Sequence, residues 1–178
     1  MKTIKHFSFA IVLALTTILT SCSNSDNGGG GGSASLGTLK ASVGGVNFTS
    51  FPQATFAVIA SNGAFQNLTV SGSDITGKSL SLTIITANIT AGTTYQITDQ
   101  GNEIGSCTYS EMDLANPTTA QVWAAPYDGG GNSGSITVSS KTATNIQGTF
   151  TVNAKNTADN NMKAITNGSF NINLSAGN

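Results

Sequence analysis

From residue 36 onward, apolar and polar side chains alternate with a period of two in short runs, and Gly, Asn, Asp or Pro separates one run from the next. Such runs are strands with one face turned to a core. Leu36 to Val43 meets Gly44-Gly45 and resumes at Val46 to Thr49, while Ala54 to Ala60 meets Ser61-Asn62-Gly63 and resumes at Phe65 to Ser71. Both are predicted hairpins. Leu80 to Thr86 is the most apolar run and fits a central strand; Tyr95 to Thr98 and Ser106 to Glu111 flank a polar loop from Asp99 to Glu103. Thr119 to Ala125 carries the single Trp, Trp123, and stops at Pro126. Ser135 to Ser139, Ile146 to Ala154 and a last run through Phe170, Ile172 and Leu174 complete the set, with Ile136, Val138, Phe150, Val152, Phe170, Ile172 and Leu174 as the inward positions.

No stretch of helix length shows a 3.6 period, and the abundance of Thr and Asn disfavours helix interiors. About ten strands at such spacing predict an all-β fold, an antiparallel β-sandwich or barrel, because a parallel sheet needs intervening helices. Ser61-Asn-Gly-Ala-Phe65 and Thr166-Asn-Gly-Ser-Phe170 echo each other, and both read as hairpin turns.

The N-terminus departs from this pattern. Lys2 and Lys5 precede an apolar stretch from Phe7 to Leu19, the outline of a secretory signal, which is shorter than the ~20 residues that span a bilayer. Leu19-Thr20-Ser21-Cys22 resembles the bacterial lipobox, in which the Cys becomes the acylated first residue of the mature protein. Residues 1–21 are therefore expected to be a lipoprotein signal peptide. Fatty acyl chains such as palmitate on Cys22 hold a protein on a membrane without a spanning segment. Residues 22–35, rich in Gly, Ser and Asn, are expected to form a flexible tether, and 36–178 a single β domain. Ser23 lacks the Asp associated with inner-membrane retention, and Asp26 is a thin version of an acidic surface-export tract. The expected location is the outer membrane, with the leaflet left open.

Charge narrows the chemistry. Charged residues are 8% of the chain against a usual ~25%. Cleavage after Ser21 would remove Lys2, Lys5 and the sole His, leaving five Lys against eight Asp and Glu, a formal net charge of −3, with no Arg. A Ser-His-Asp or Cys-His site, a zinc site with His ligands, an Arg-built phosphate pocket and a nucleic-acid surface all lack their usual residues. No cofactor is expected. Cys107 would be the only free thiol, and its place in an alternating strand predicts a small core residue.

Three segments, Gly134-Ser-Ile-Thr-Val, Ile146-Gln-Gly-Thr-Phe-Thr-Val-Asn-Ala-Lys and Ile165-Thr-Asn-Gly-Ser-Phe-Asn-Ile-Asn-Leu, resemble a family of Bacteroidota cell-envelope lipoproteins with a β-rich domain of unknown function. Leu39-Lys-Ala-Ser-Val-Gly-Gly-Val-Asn-Phe-Thr-Ser is similar to that family's first hairpin, with Phe48 in its aromatic position. The resemblance implies the anchor and the fold class and supplies no catalytic residue.

Several residue groups invite a chemical reading. Asp128-Gly-Gly-Gly-Asn132-Ser-Gly134 faintly echoes a calcium loop but lacks a second acid and the distal Glu, so no metal is expected there. Glu111 and Asp113, or Asp99 and Glu103, offer the paired carboxylates of glycoside hydrolysis. Trp123 and Tyr127, with Tyr95 and Tyr109, offer a sugar-stacking platform, against the simpler reading that Trp123 fills the core. Asn47, Asn67, Asn88 and Asn167 head Asn-X-Ser/Thr triplets that arise by chance in an Asn- and Thr-rich chain.

The resulting expectation is a lipid-anchored, non-enzymatic binding or structural module, with a glycan or another envelope protein as partner and Trp123 and Tyr127 as ligand contacts. The alternatives are a carboxylate-dependent glycoside hydrolase and a lipocalin-like carrier of a small apolar ligand. Metabolic labelling with a fatty-acid analogue is expected to mark the wild-type protein and to leave Cys22→Ala unlabelled.

Overall fold

A computed structural model describes residues 33–101 and 104–175. The signal segment, Cys22, most of the tether and Glu103 lie outside the described residues. Each predicted run is a strand, eleven among the described residues: β1 (Thr38–Val43), β2 (Val46–Thr49), β3 (Thr55–Asn62), β4 (Phe65–Ser73), β5 (Lys78–Thr86), β6 (Thr93–Thr98), β7 (Ile104–Glu111), β8 (Gln121–Ala125), β9 (Asn132–Lys141), β10 (Asn145–Asn156) and β11 (Met162–Ser175). The only helical turns among the described residues are two short 3₁₀ segments, each opened by a proline.

The strands form one mixed sheet in the order β2-β1-β11-β3-β4-β5-β7-β8-β10-β9-β6, and β10 also pairs with β11. That extra pairing makes the ladder return on itself through β11, β3, β4, β5, β7, β8 and β10. The sheet is rolled, with β1-β2 extending from β11 and β9-β6 extending from β10. All pairings are antiparallel except the short contact of β11 with β3, where Leu174 faces Ala57 and Ser175 faces Val58. The expected all-β sandwich or barrel class holds, and the most apolar run, β5, lies inside the sheet between β4 and β7.

One core fills the interior, with Leu39, Leu68, Leu80, Leu82, Ile84, Ile97, Ile136 and Ile172 among its members. Cys107 belongs to it at 1% exposure, and burial pushes its thiol up to about 12. A thiol in that state is a small apolar side chain.

The longest ladder joins β10 to β11, and two of its rungs pair a glycine with a phenylalanine: Gly148 faces Phe170, and Phe150 faces Gly168. A Cβ at Gly168 would lie 2.5–2.6 Å from the Phe150 ring, and one at Gly148 would strike both the Phe170 ring and the Thr137 carbonyl oxygen. Each ring occupies the space that the opposite strand leaves by having no side chain. This cross-strand covering of glycine by an aromatic ring compensates for the weakness of glycine in a strand.

Asn167-Gly168 therefore does not form the expected hairpin turn. It lies inside the 14-residue β11 as a β-bulge. Asn167 has φ of 52°, and the pairings of β11 with both β1 and β10 slip by one residue there. A residue that tolerates the left-handed region serves a turn or a bulge equally well. The partner decides between them, and the Phe150 ring needs β11 to continue past Gly168. At Ser61-Asn62-Gly63 no such constraint exists: β3 ends, Gly63 takes φ of 61°, and the chain turns into β4.

Gly168→Ala and Gly148→Ala are each expected to destabilise the fold by about 1–3 kcal/mol through overpacking. In urea denaturation, adding Phe150→Leu should recover much of the Gly168→Ala loss, whereas Phe170→Leu should recover little at Gly148, where the Thr137 carbonyl still blocks the added methyl.

Candidate functional site

Strand β7 ends in Tyr109-Ser110-Glu111, and the period of two turns Tyr109 and Glu111 to the same side. Tyr109 pairs across the ladder with Trp123 of β8, and Glu111 with Lys78 of β5. Lys163, two residues before the buried Ile165 on β11, arrives from the other side. Its Nζ lies 2.8 Å from Glu111 Oε1, the same oxygen that accepts a 2.8 Å hydrogen bond from the Tyr109 hydroxyl. The ammonium also sits 3.5 Å from the Trp123 ring centroid and 5.2 Å from that of Tyr109, which are cation–π distances. Beneath it, Tyr109 packs against Trp123 at 5.8 Å and edge-on against Phe48 at 6.2 Å.

The group borders a cleft of about 140 Å³ lined by Val46, Phe48, Lys78, Tyr109, Glu111 and Lys163 among others. Two of the five lysines beyond residue 35 meet in it. Burial by itself raises the Glu111 carboxyl, but the hydrogen bonds from Lys163 and Tyr109, with the charges of Lys163 and Lys78, outweigh it and hold the group below the usual range. The Tyr109 hydroxyl is raised, first by burial and then by donating to a carboxylate. The cleft thus presents an ionised acid and an ammonium already joined to each other on an aromatic floor. A general acid needs the opposite shift, a carboxyl raised toward neutral pH.

The other predicted positions fall elsewhere. Asp113 is exposed past the end of β7, and its Oδ1 accepts the Ala115 N–H at 2.9 Å, so it serves a turn while Glu111 serves Lys163. Asp99 is exposed on the loop after β6, and Glu103 lies outside the described residues. Asp128 is exposed, and Asn132 donates to Gln96 Oε1 at 2.6 Å and accepts from the Gly134 N–H, which are contacts of a strand end. Among the described residues no three of His, Cys, Asp or Glu gather.

The four aromatics of the stacking platform do not share an open face. Trp123 is 7% exposed inside the core, and its indole N–H finds no acceptor among the described residues. Packing and the ammonium above it hold the ring. Tyr109 lies beside it, Tyr95 accepts the Thr90 N–H at 2.9 Å away from both, and Tyr127 is half-buried with Lys155 Nζ 5.7 Å from its ring centroid.

Sequence reasoning did not single out Lys163 or Lys78. One signal was available for Lys163: a rare cation at an inward register position of a strand, in a chain nearly without charge.

The fold and cleft define an all-β domain with a rolled, self-closing sheet and a charged cluster on an aromatic floor. The chain belongs to a family described as a domain of unknown function (DUF6252), whose profile matches residues 38–172. The match takes in the middle of the β domain, where no motif stands out, as well as its first hairpin and its last strands. No curated protein and no solved structure matches the chain.

Because the Glu111 carboxyl is lowered in the fold, its contribution to stability is complete above the unfolded value of about 4.3 and is lost as pH falls through the folded value. The urea midpoint is therefore expected to drop less between neutral pH and acid in Glu111→Gln than in wild type. The raised Tyr109 hydroxyl works in the other direction: its contribution is complete below about pH 10 and is lost as pH rises above that, a loss that Tyr109→Phe should remove. Lys163→Met, which keeps the stem, should lower stability by on the order of 1 kcal/mol.

Proposed function

We propose that the mature chain is a lipid-anchored module of the outer membrane that acts in the envelope by binding and does not act as an enzyme. The lipobox Leu19-Thr20-Ser21-Cys22 and the Gly-rich tether support the anchoring. The observation that carries the binding role is the state of the cleft: its one acid is ionised and joined to Lys163 and Tyr109, so it offers fixed charge and hydrogen bonding and no mobile proton.

The Asn47 amide and the Lys78 ammonium beside the Glu111 carboxylate suit a glycan, a ligand recognised by hydrogen bonds without Arg or His. Burial of Trp123 shifts the expected contacts away from its ring faces and toward the polar groups of the cleft, Lys78, Glu111 and Lys163, with Asn47. Tyr127 is half-buried and does not line that cleft.

A glycan array probed with wild-type protein and with Lys78→Ala is the direct test. Selective binding to a glycan class that weakens about tenfold in Lys78→Ala, with the thermal midpoint unchanged, is the expected result. Hydrolysis of any array glycan, or binding unaffected by changes at Lys78 and Asn47, would exclude this reading.

A further inference from the structure

A cluster of loops beside the first described residues carries exposed apolar side chains that the core does not use. Leu36 is 62% exposed, Phe51 46%, Ile75 79%, Met112 43% and Leu114 63%. These positions are distant in sequence but tied together in space. A Cβ at Gly37 would lie 3.7 Å from Pro52 Cβ, the Phe51 N–H donates to the Ser73 carbonyl at 2.7 Å, and the Met112 N–H donates to the Gly77 carbonyl at 3.0 Å. Leu114 Cδ2 would lie 3.2 Å from a Cβ at Gly77.

Asp74 closes the 74–77 turn through its side chain and its backbone. The Asp74 carboxylate accepts the N–H groups of Thr76 and Lys78 and the Thr76 hydroxyl, and the Asp74 N–H donates to the Lys78 carbonyl at 2.9 Å. A turn closed in this way holds Ile75 outward at its tip, at the headgroup level where water still reaches the backbone.

We propose that this loop cluster rests on the lipid surface, so that the domain lies against the bilayer with one fixed face instead of swinging on its tether. The inference depends on the anchoring at Cys22 proposed above. Ser33 follows Cys22 by eleven residues, a contour of at most about 40 Å, so an anchor at Cys22 keeps the chain's first described residues, and with them Leu36, near the lipid. At such an effective concentration a weak interfacial affinity is enough to hold the face down. The charged residues of the 74–77 turn and of the segment after β7 are two carboxylates, Asp74 and Asp113, with no basic patch to seek anionic lipid, so the contact is an apolar one.

A second exposed apolar pair, Ile85 facing Ile104, marks the opposite end of β5 and β7, seven rungs or about 23 Å from the pairing of Lys78 with Glu111. It serves as the control position.

The test uses the full-length lipidated protein in phosphatidylcholine vesicles, with a polarity-sensitive fluorophore on Ile75→Cys, Leu114→Cys or Ile104→Cys, Cys107 being shielded by burial. The expected result is a blue shift on vesicle binding at 75 and 114 and none at 104, unchanged when phosphatidylglycerol is added. Protein that floats with the vesicles while labels at 75 and 114 stay water-like would overturn the inference and leave the anchor intact. Failure to float would remove the anchoring reading and this inference with it. A blue shift at 75 that is already present without vesicles and grows with protein concentration would assign the face to a second copy of the chain and overturn the lipid contact.

Discussion

Two phenylalanine rings lie where two glycines have no side chain, and the register of the longest ladder in the protein follows from that fit. Phe150 covers Gly168 and Phe170 covers Gly148 across β10 and β11. A slip of one residue would put each ring against a Cβ and turn every inward side chain outward. These two strands close the sheet, because β10 reaches β8 on one side while β11 reaches β1 and β3 on the other. The Asn167 bulge belongs to the same arrangement, bending β11 where the glycine and the ring need to meet.

The chain's scarcity of charge shapes the rest. Most of its polar surface is hydroxyl and amide, as in the Thr94–Thr137 contact and the linked amides of Asn145, Asn171 and Gln147. Against that background the joining of Glu111, Lys163 and Tyr109 above Trp123 is a local exception. Partly desolvated charges are stable only when paired and hydrogen-bonded, and here each has a partner.

The strands were readable because period two is written into adjacent residues: Ile136 and Val138, Phe150 and Val152, Phe170 and Ile172 are inward in the sequence and buried in the fold. What depends on a distant partner was not readable. Asn167-Gly168 has the same composition as the turn at Asn62-Gly63, and only the ring of Phe150, eighteen positions away, distinguishes bulge from turn. The parallel closure of β11 on β3 joins segments more than a hundred residues apart with no local mark. The cleft was half legible: Glu111 was singled out for its carboxyl, but the residues that set its state, Lys163 and Tyr109, come to it through pairing and burial. Trp123 was seen as core or platform, and burial against Tyr109 beneath the Lys163 ammonium gives it a core position.

Strand β11 touches β1, β3 and β10, and among the described residues it is the strand nearest the C-terminus. A chain emerging from its N-terminus can form the β1–β2 and β3–β4 hairpins early, but neither can bury its apolar face against a closed sheet until β11 arrives. The interior is completed late and by contacts of long sequence separation, which makes folding slow relative to local hairpin formation. Such an order concentrates the commitment of the described domain to its closed form in the fourteen residues of β11.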